Sequence, residues 1–246
     1  MAPERRGERG TIDRFSAASR RRLMERLIRL DWARQEVWFI TLTYPGEYDD
    51  NPRSWKENLS AFRTWLGRRY GDSFTWAIWR LEFQRRGAPH YHIVAGIRLG
   101  TDLRGCRDDV RVSWSRILGL SAVSGDFARV DVQRAELSQQ DGYGKLMTYL
   151  CKYVGKRQTP KARAEPLTGE VLPIGRMWGV WGKPPLQAPQ TLNLTAHDYL
   201  TLIRRLRRRY RRDPFLSKAN VGWHSFLAYV PAASMRQLMR GLCVDR

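Results

Sequence analysis

The chain has 246 residues, 42% hydrophobic and 11% aromatic, enough apolar matter for a packed domain and too much for wholesale disorder. Its 44 lysines and arginines outweigh 24 acidic residues, a formal charge of +20 at pH 7, and that excess points to a polyanionic partner rather than to solubility alone. Cys106, Cys151 and Cys243 form no CxxC pair, which excludes a disulfide framework or a zinc knuckle and fits a reducing cytoplasm.

Residues 1–11 are polar and rich in Gly and Arg and read as a basic arm; with Glu4, Glu8 and Asp13 nearby and no apolar core, a targeting peptide is not expected. From Ser16 to about Trp32, Leu23, Leu27, Ile28 and Leu30 recur among arginines as in an amphipathic basic helix. Val37 to Tyr44 reads as a strand ended by Pro45-Gly46, and a helix follows from about Ser54 to Tyr70 with Trp55, Leu59, Phe62, Trp65 and Leu66 on one stripe. Phe74–Phe83 and Pro89–Ile97 form a hairpin around residues 85–88. A short helix near Val112–Leu118 precedes a strand at about 128–133, and a helix spans roughly Tyr143 to Val154. Residues 157–169 read as a polar loop. A strand pair is expected around 175–182 and 190–194. The last clear element is a helix that begins at the capping-box-like Thr195-Ala196-His197-Asp198 and runs through an arginine-rich stretch. The tail from Phe215 carries too little pattern for a role. No apolar run approaches the ~20 residues that cross a bilayer, so a membrane partner is not expected.

Two segments carry chemistry. His90 and His92 alternate on a strand, so their imidazoles share one face. If the hairpin turn has an odd number of residues centred on Gly87, Glu82 lies opposite His92 and Gln84 opposite His90. An even turn would bring Leu81 and Phe83 there instead, a poor surround for a cation. Glu82 is therefore the expected third ligand, with Gln84 as a weaker candidate. Two imidazoles and a carboxylate suit Mn²⁺ or Mg²⁺, with Zn²⁺ or Co²⁺ as competitors. A lone HxH is more often hydrogen-bonded structure than a metal site; the run Glu82…Arg86-Gly87-Ala88-Pro89-His90-Tyr91-His92 is what favours metal.

The second segment is Tyr149-Leu150-Cys151-Lys152-Tyr153-Val154-Gly155-Lys156. Tyr149 and Tyr153 are four apart on a helix and share a face, flanked by Lys152 and Lys156. A phenol has a pKa near ~10 and is a poor nucleophile at neutral pH. A neighbouring ammonium or a polarised phosphate favours its phenolate character. An isolated YxxK is usually a helix with half-buried tyrosines and solvated lysines, but the tandem, together with the histidines, points to work on a phosphodiester.

The segments Phe39–Tyr44, Pro89–Ile93 and Tyr149–Lys156 follow the order of the three motifs of HUH endonucleases. The chain from Val37 to Trp181 resembles the two-tyrosine rolling-circle replication initiators of phages and plasmids within that superfamily. Trp114–Gly119 and Arg176–Trp181 resemble its connecting segments. The resemblance implies an α+β fold with a central five-stranded antiparallel sheet carrying the histidines, flanking helices, and a basic helical C-terminal extension. The corresponding division is residues 1–30 as arm and helix, 31–194 as endonuclease domain and 195–246 as extension. It implies metal-dependent nicking and joining of single-stranded DNA at a replication origin through a 5′-phosphotyrosine, inside a bacterial or archaeal cell. Adjacent duplex DNA and a helicase of the host or the element would be partners, since no GxxxxGK[ST] occurs. Alternatives are a transposase or relaxase of the same superfamily and a non-catalytic basic DNA-binding repressor.

Overall fold

The structure, a computed structural model, describes residues 12, 15–31, 36–98, 103–120, 128–134, 173–188, 193–212, 232–242 and 244–245. These divide into two compact units. The first holds the described residues up to Ser16, between Gln35 and Ala135, and between Arg157 and Pro184; the second holds the others.

The first unit is an α+β layer pair. Its five-stranded sheet has the order β4-β1-β3-β2-β5, with β1 at Val37–Thr43, β2 at Phe74–Phe83, β3 at Pro89–Ile97, β4 at Val130–Arg134 and β5 at Trp178–Gly182. Every neighbouring pair is antiparallel, as expected. The β-branched and aromatic run of β1 suits a central strand buried on both faces, and Pro45 follows where the ladder ends. Helix α2 (Pro52–Tyr70) starts two residues earlier than the apolar stripe suggests, because Asn51 caps it, accepting from the Arg53 amide at 2.9 Å, and Pro52 occupies the first turn.

One sheet face buries Trp38, Ile40 and Leu42 of β1, Ala77, Trp79 and Leu81 of β2, and Tyr91, Ile93 and Ala95 of β3. They cluster with Trp55, Leu59, Phe62 and Leu66 of α2 and with Val110 and Trp114 of α3 (Leu103–Ile117). Each large side chain fully buried there contributes about 1.5–3 kcal/mol. Two polar tips are satisfied within this layer: the Tyr91 hydroxyl donates to the Trp55 carbonyl at 3.0 Å, and the Trp114 indole N–H to the Thr43 carbonyl at 3.2 Å. Because side chains alternate along a strand, the residues between these core positions line the opposite face.

Two expectations are corrected. Helix α3 begins at Leu103 rather than near Val112; its inward stripe of Cys106, Val110, Trp114 and Ile117 is spaced by charged residues that break up its apolar signal. The strands near 178–182 and 193–194 do not pair with each other. β5 joins the edge of β2, with Trp178 opposite Arg80 and Gly182 opposite Trp76. Gly182 sits at φ +66°, where a Cβ would lie 2.2 Å from the Thr75 carbonyl oxygen, so this close approach requires glycine.

In the second unit, α1 (Ala17–Ile28) buries Leu23 and Leu27, and Leu30 bridges Leu186. β6 (Asn193–Leu194) pairs with β7 (Val244–Asp245). Helix α4 (Ala196–Arg212) begins at its expected cap: the Asp198 amide donates to the Thr195 hydroxyl at 3.1 Å, and that hydroxyl donates to the Asp198 carboxylate at 2.8 Å. Ile203 and Leu206 are buried, whereas Arg204 and Arg208 are exposed. Helix α5 (Ala232–Met239), in the tail where no element was expected, ends against Arg205, whose Nη1 donates to the Leu238 and Arg240 carbonyls at 2.7 and 2.8 Å.

Candidate functional site

Strand register assembles a polar patch on the sheet face away from the α2 and α3 core. Across the strands, Asp131, Thr41, His92, Arg80 and Trp178 stand side by side; two residues along, Thr43, His90 and Glu82 form a second row. These positions alternate with the core positions, so the same pattern that buries Tyr91 and Leu81 presents His90, His92 and Glu82 on the other side.

The hairpin register differs from expectation by two residues. The turn is odd, but it consists of Gln84–Ala88 centred on Arg86, so Glu82 stands opposite His90 and Arg80 opposite His92. It closes through the Gln84 amide on the Ala88 carbonyl at 2.9 Å and the Gly87 amide on the Gln84 carbonyl at 2.8 Å, with Gly87 at φ +89°. Even parity is excluded, and Glu82 keeps the face of the histidines. Its carboxylate reaches His92 on the diagonal, Oε2 to Nε2 at 3.3 Å. Gln84 is drawn away: its side-chain oxygen accepts from Arg86 Nε at 3.0 Å.

His90 and His92 meet edge to face with ring centroids 4.5 Å apart. Thr43 Oγ1 lies 2.9 Å from His90 Nδ1, and Thr41 Oγ1 lies 3.4 Å from His92 Nδ1. Arg80 Nη1 holds Glu82 Oε1 at 2.7 Å, with the two side chains only 3% and 5% exposed. The ring of Phe15 covers the Arg80 guanidinium at 4.5 Å. Sequence reasoning missed Arg80, Thr41 and Thr43. The signal was present in the period of two: Arg80 precedes Glu82 by two residues, and Thr41 and Thr43 alternate as His90 and His92 do.

Two imidazoles and a carboxylate are a donor set that fits a divalent cation with open positions for oxygen ligands. Among the described residues, no three His, Cys, Asp or Glu side chains are already gathered into a metal cage. His92 and Glu82 are instead joined to each other, and Glu82 to Arg80. Tyr149, Lys152, Tyr153 and Lys156, the expected nucleophiles and their cations, lie outside the described residues.

Neighbouring groups expected to meet nucleic acid divide. Trp181 is buried in the core, whereas Trp178 is half-buried on the histidine face. Arg86 serves the fold: it donates to the Tyr44 and Gly46 carbonyls and lies over the Tyr48 ring, tying the hairpin turn to the loop after β1. Burial pushes the Lys56 ammonium of α2 down to about 8, with the nearby Arg176 charge adding to the effect. Lys56 donates to the Arg176 carbonyl and lies over the Trp79 ring, on the core side of the sheet.

No curated protein matches the chain. Among solved structures, the chain is similar to the hypothetical protein ORF119 from Sulfolobus islandicus rod-shaped virus 1. That crystal structure is 14% identical, with 55% of this chain and 93% of that one covered at a TM-score of 0.32, a likeness too slight to argue from. Residues 37–158, which hold β1 to β4 with His90, His92 and Glu82, match the model of the Replication-associated protein ORF2 family, and that match supports a role for this chain as a replication initiator.

Proposed function

We propose that the chain is a rolling-circle replication initiator that nicks and rejoins single-stranded DNA at an origin by tyrosine transesterification. The observation that carries this reading is the convergence of His90, His92 and Glu82 on one sheet face, inside the segment that matches the replication-associated family. His90, His92 and Glu82 would hold a divalent cation, Mn²⁺ or Mg²⁺, which when bound polarises a phosphate oxygen and steadies the charge that develops there. Glu82 supplies the anionic oxygen and the imidazoles supply neutral nitrogen donors. Tyr149 or Tyr153 attacks the scissile phosphorus through its hydroxyl oxygen, loses its proton, and displaces the 3′ oxygen of the preceding nucleotide. The products are a 5′-phosphotyrosine and a free 3′-OH. Lys152 and Lys156 favour the phenolate as it forms. The second tyrosine repeats the step at the regenerated site, so that the strand can be closed into a circle. The phosphodiester energy is kept in the covalent link, and no nucleotide is consumed.

The α4 arginines, with Arg204 and Arg208 exposed, would contact duplex beside the nick, and a separate helicase would open it. The test uses single strands tiled from the DNA that encodes the chain, with Mn²⁺, followed by a denaturing gel. A covalent adduct is expected with the parent and with one tyrosine left, and none with Tyr149→Phe/Tyr153→Phe. An adduct in the double variant would refute the nucleophile assignment. Salt-sensitive binding without any adduct in the parent would leave a non-catalytic DNA-binding protein.

A further inference from the structure

We propose that Thr41 and Thr43 are positioning residues for the metal centre: their hydroxyls accept the Nδ1 protons of His92 and His90 and so hold both imidazoles with the Nε2 lone pair available to a cation. This rests on the metal reading above and adds two residues to it.

Register makes the pairing. β1 and β3 are antiparallel neighbours in which Thr41 stands opposite His92 and Thr43 opposite His90, so a T-x-T on one strand meets an H-x-H on the next, hydroxyl to ring. The contacts are to Nδ1 in both cases, at 2.9 Å for Thr43 with His90 and 3.4 Å for Thr41 with His92. A neutral imidazole carries one N–H and one lone pair, and the partner at one nitrogen decides which is which. With Nδ1–H given to a hydroxyl, the lone pair falls on Nε2. In His92 that nitrogen is the one turned toward Glu82, 3.3 Å from Oε2. Outer partners of this kind fix ring orientation as well as tautomer, and their loss commonly costs 10- to 100-fold in metal affinity. The alternative role for two threonines in a central strand is packing and β propensity, which their branched shape supplies without the hydroxyl.

Valine and serine separate the two roles. Thr→Val keeps the branched shape and removes the oxygen; Thr→Ser keeps the oxygen and removes the methyl. The experiment measures Mn²⁺ binding to the full chain without DNA, from the paramagnetic resonance of free Mn²⁺, with circular dichroism to verify folding. Histidine nitrogen–proton correlation spectra of the metal-free chain report the tautomers.

Thr43→Val is expected to bind Mn²⁺ about 10- to 100-fold more weakly, Thr41→Val to lose less because its contact is longer, and Thr43→Ser to stay near the parent. The parent spectra should show Nδ1–H on His90, weakened or lost in Thr43→Val. Unchanged Mn²⁺ affinity in a folded Thr43→Val, or Thr43→Ser as weak as Thr43→Val, overturns the positioning role alone. Absence of Mn²⁺ binding in the parent overturns the metal reading and this role with it.

Discussion

Arg80 and Glu82 sit two residues apart on β2, almost wholly out of water, and share a 2.7 Å contact. A buried charge is costly unless it is paired, and removing one partner leaves the other exposed to that cost. Arg80→Met should therefore lower unfolding stability by about 3 kcal/mol, read from urea denaturation at pH 7. Adding Glu82→Met should recover most of the loss, because two apolar side chains then replace the pair. Recovery of stability without recovery of Mn²⁺ binding would separate the fold's use of Glu82 from the site's use of it. The pair also divides the carboxylate: Oε1 is held by Arg80 while Oε2 faces His92.

At the scale of elements, what could be read in advance follows the strength of the periodic signal. β1, the hairpin of β2 and β3, and the stripe of α2 were legible because apolar residues alternate or recur every three to four positions with clear stops at Pro45, Gly71 and Arg98. α3 was truncated because Arg104, Arg107, Asp108 and Arg111 sit between its inward residues. The pairing of β5 with β2 was not legible, since register between distant segments depends on tertiary fit: Gly179 lies against the Trp79 ring and Gly182 against the Thr75 carbonyl. The parity of the hairpin could be argued from the chemistry of the face, whereas its two-residue offset could not, because the turn closes through the Gln84 and Ala88 backbone groups. The pairing of each histidine with a threonine on β1 needed the same long-range register.

Lys56 gives α2 a measurable pH signature. Its folded pKa of about 8 lies below the ~10.4 of a free lysine, so the folded chain gives up this proton more readily than the unfolded chain. Its contribution to stability is unfavourable below about pH 8 and improves as pH rises from there to about 10. Lys56→Met should accordingly be more stable than the parent at pH 7, with the gap narrowing across that window. Thermal unfolding of the two proteins at matched pH values reads the difference directly. A gap that widened with pH would contradict the burial argument.

For the whole molecule, a charge of +20 sets the terms of association. Neutralising phosphates releases counterions, so affinity for single strands should fall roughly 100- to 1,000-fold between 50 and 200 mM salt if about six phosphates are engaged. Fluorescence anisotropy with a labelled strand measures this slope. His90→Ala should leave the slope nearly unchanged while abolishing Mn²⁺-dependent adduct formation, because the sheet patch contributes chemistry and the arginines contribute attraction. A slope near zero in the parent would argue against the polyanion partner.

The turn at Gln84–Ala88 has a consequence for how such a chain can vary in length. Side chains on β2 and β3 alternate between a hydrophobic interior and the histidine face, so adding one residue to the turn, with the interior kept in register on β3, would carry Glu82 into the apolar layer and Leu81 out beside the imidazoles. Adding or removing two would slide the strands without changing which face each residue serves. Turns rebuilt with three, five or seven residues should therefore keep Mn²⁺ affinity measurable, while those with four or six should lose it or fold with a bulge. Length change at this hairpin is permitted in pairs, and a single-codon insertion there acts as a knockout without touching any residue of the site.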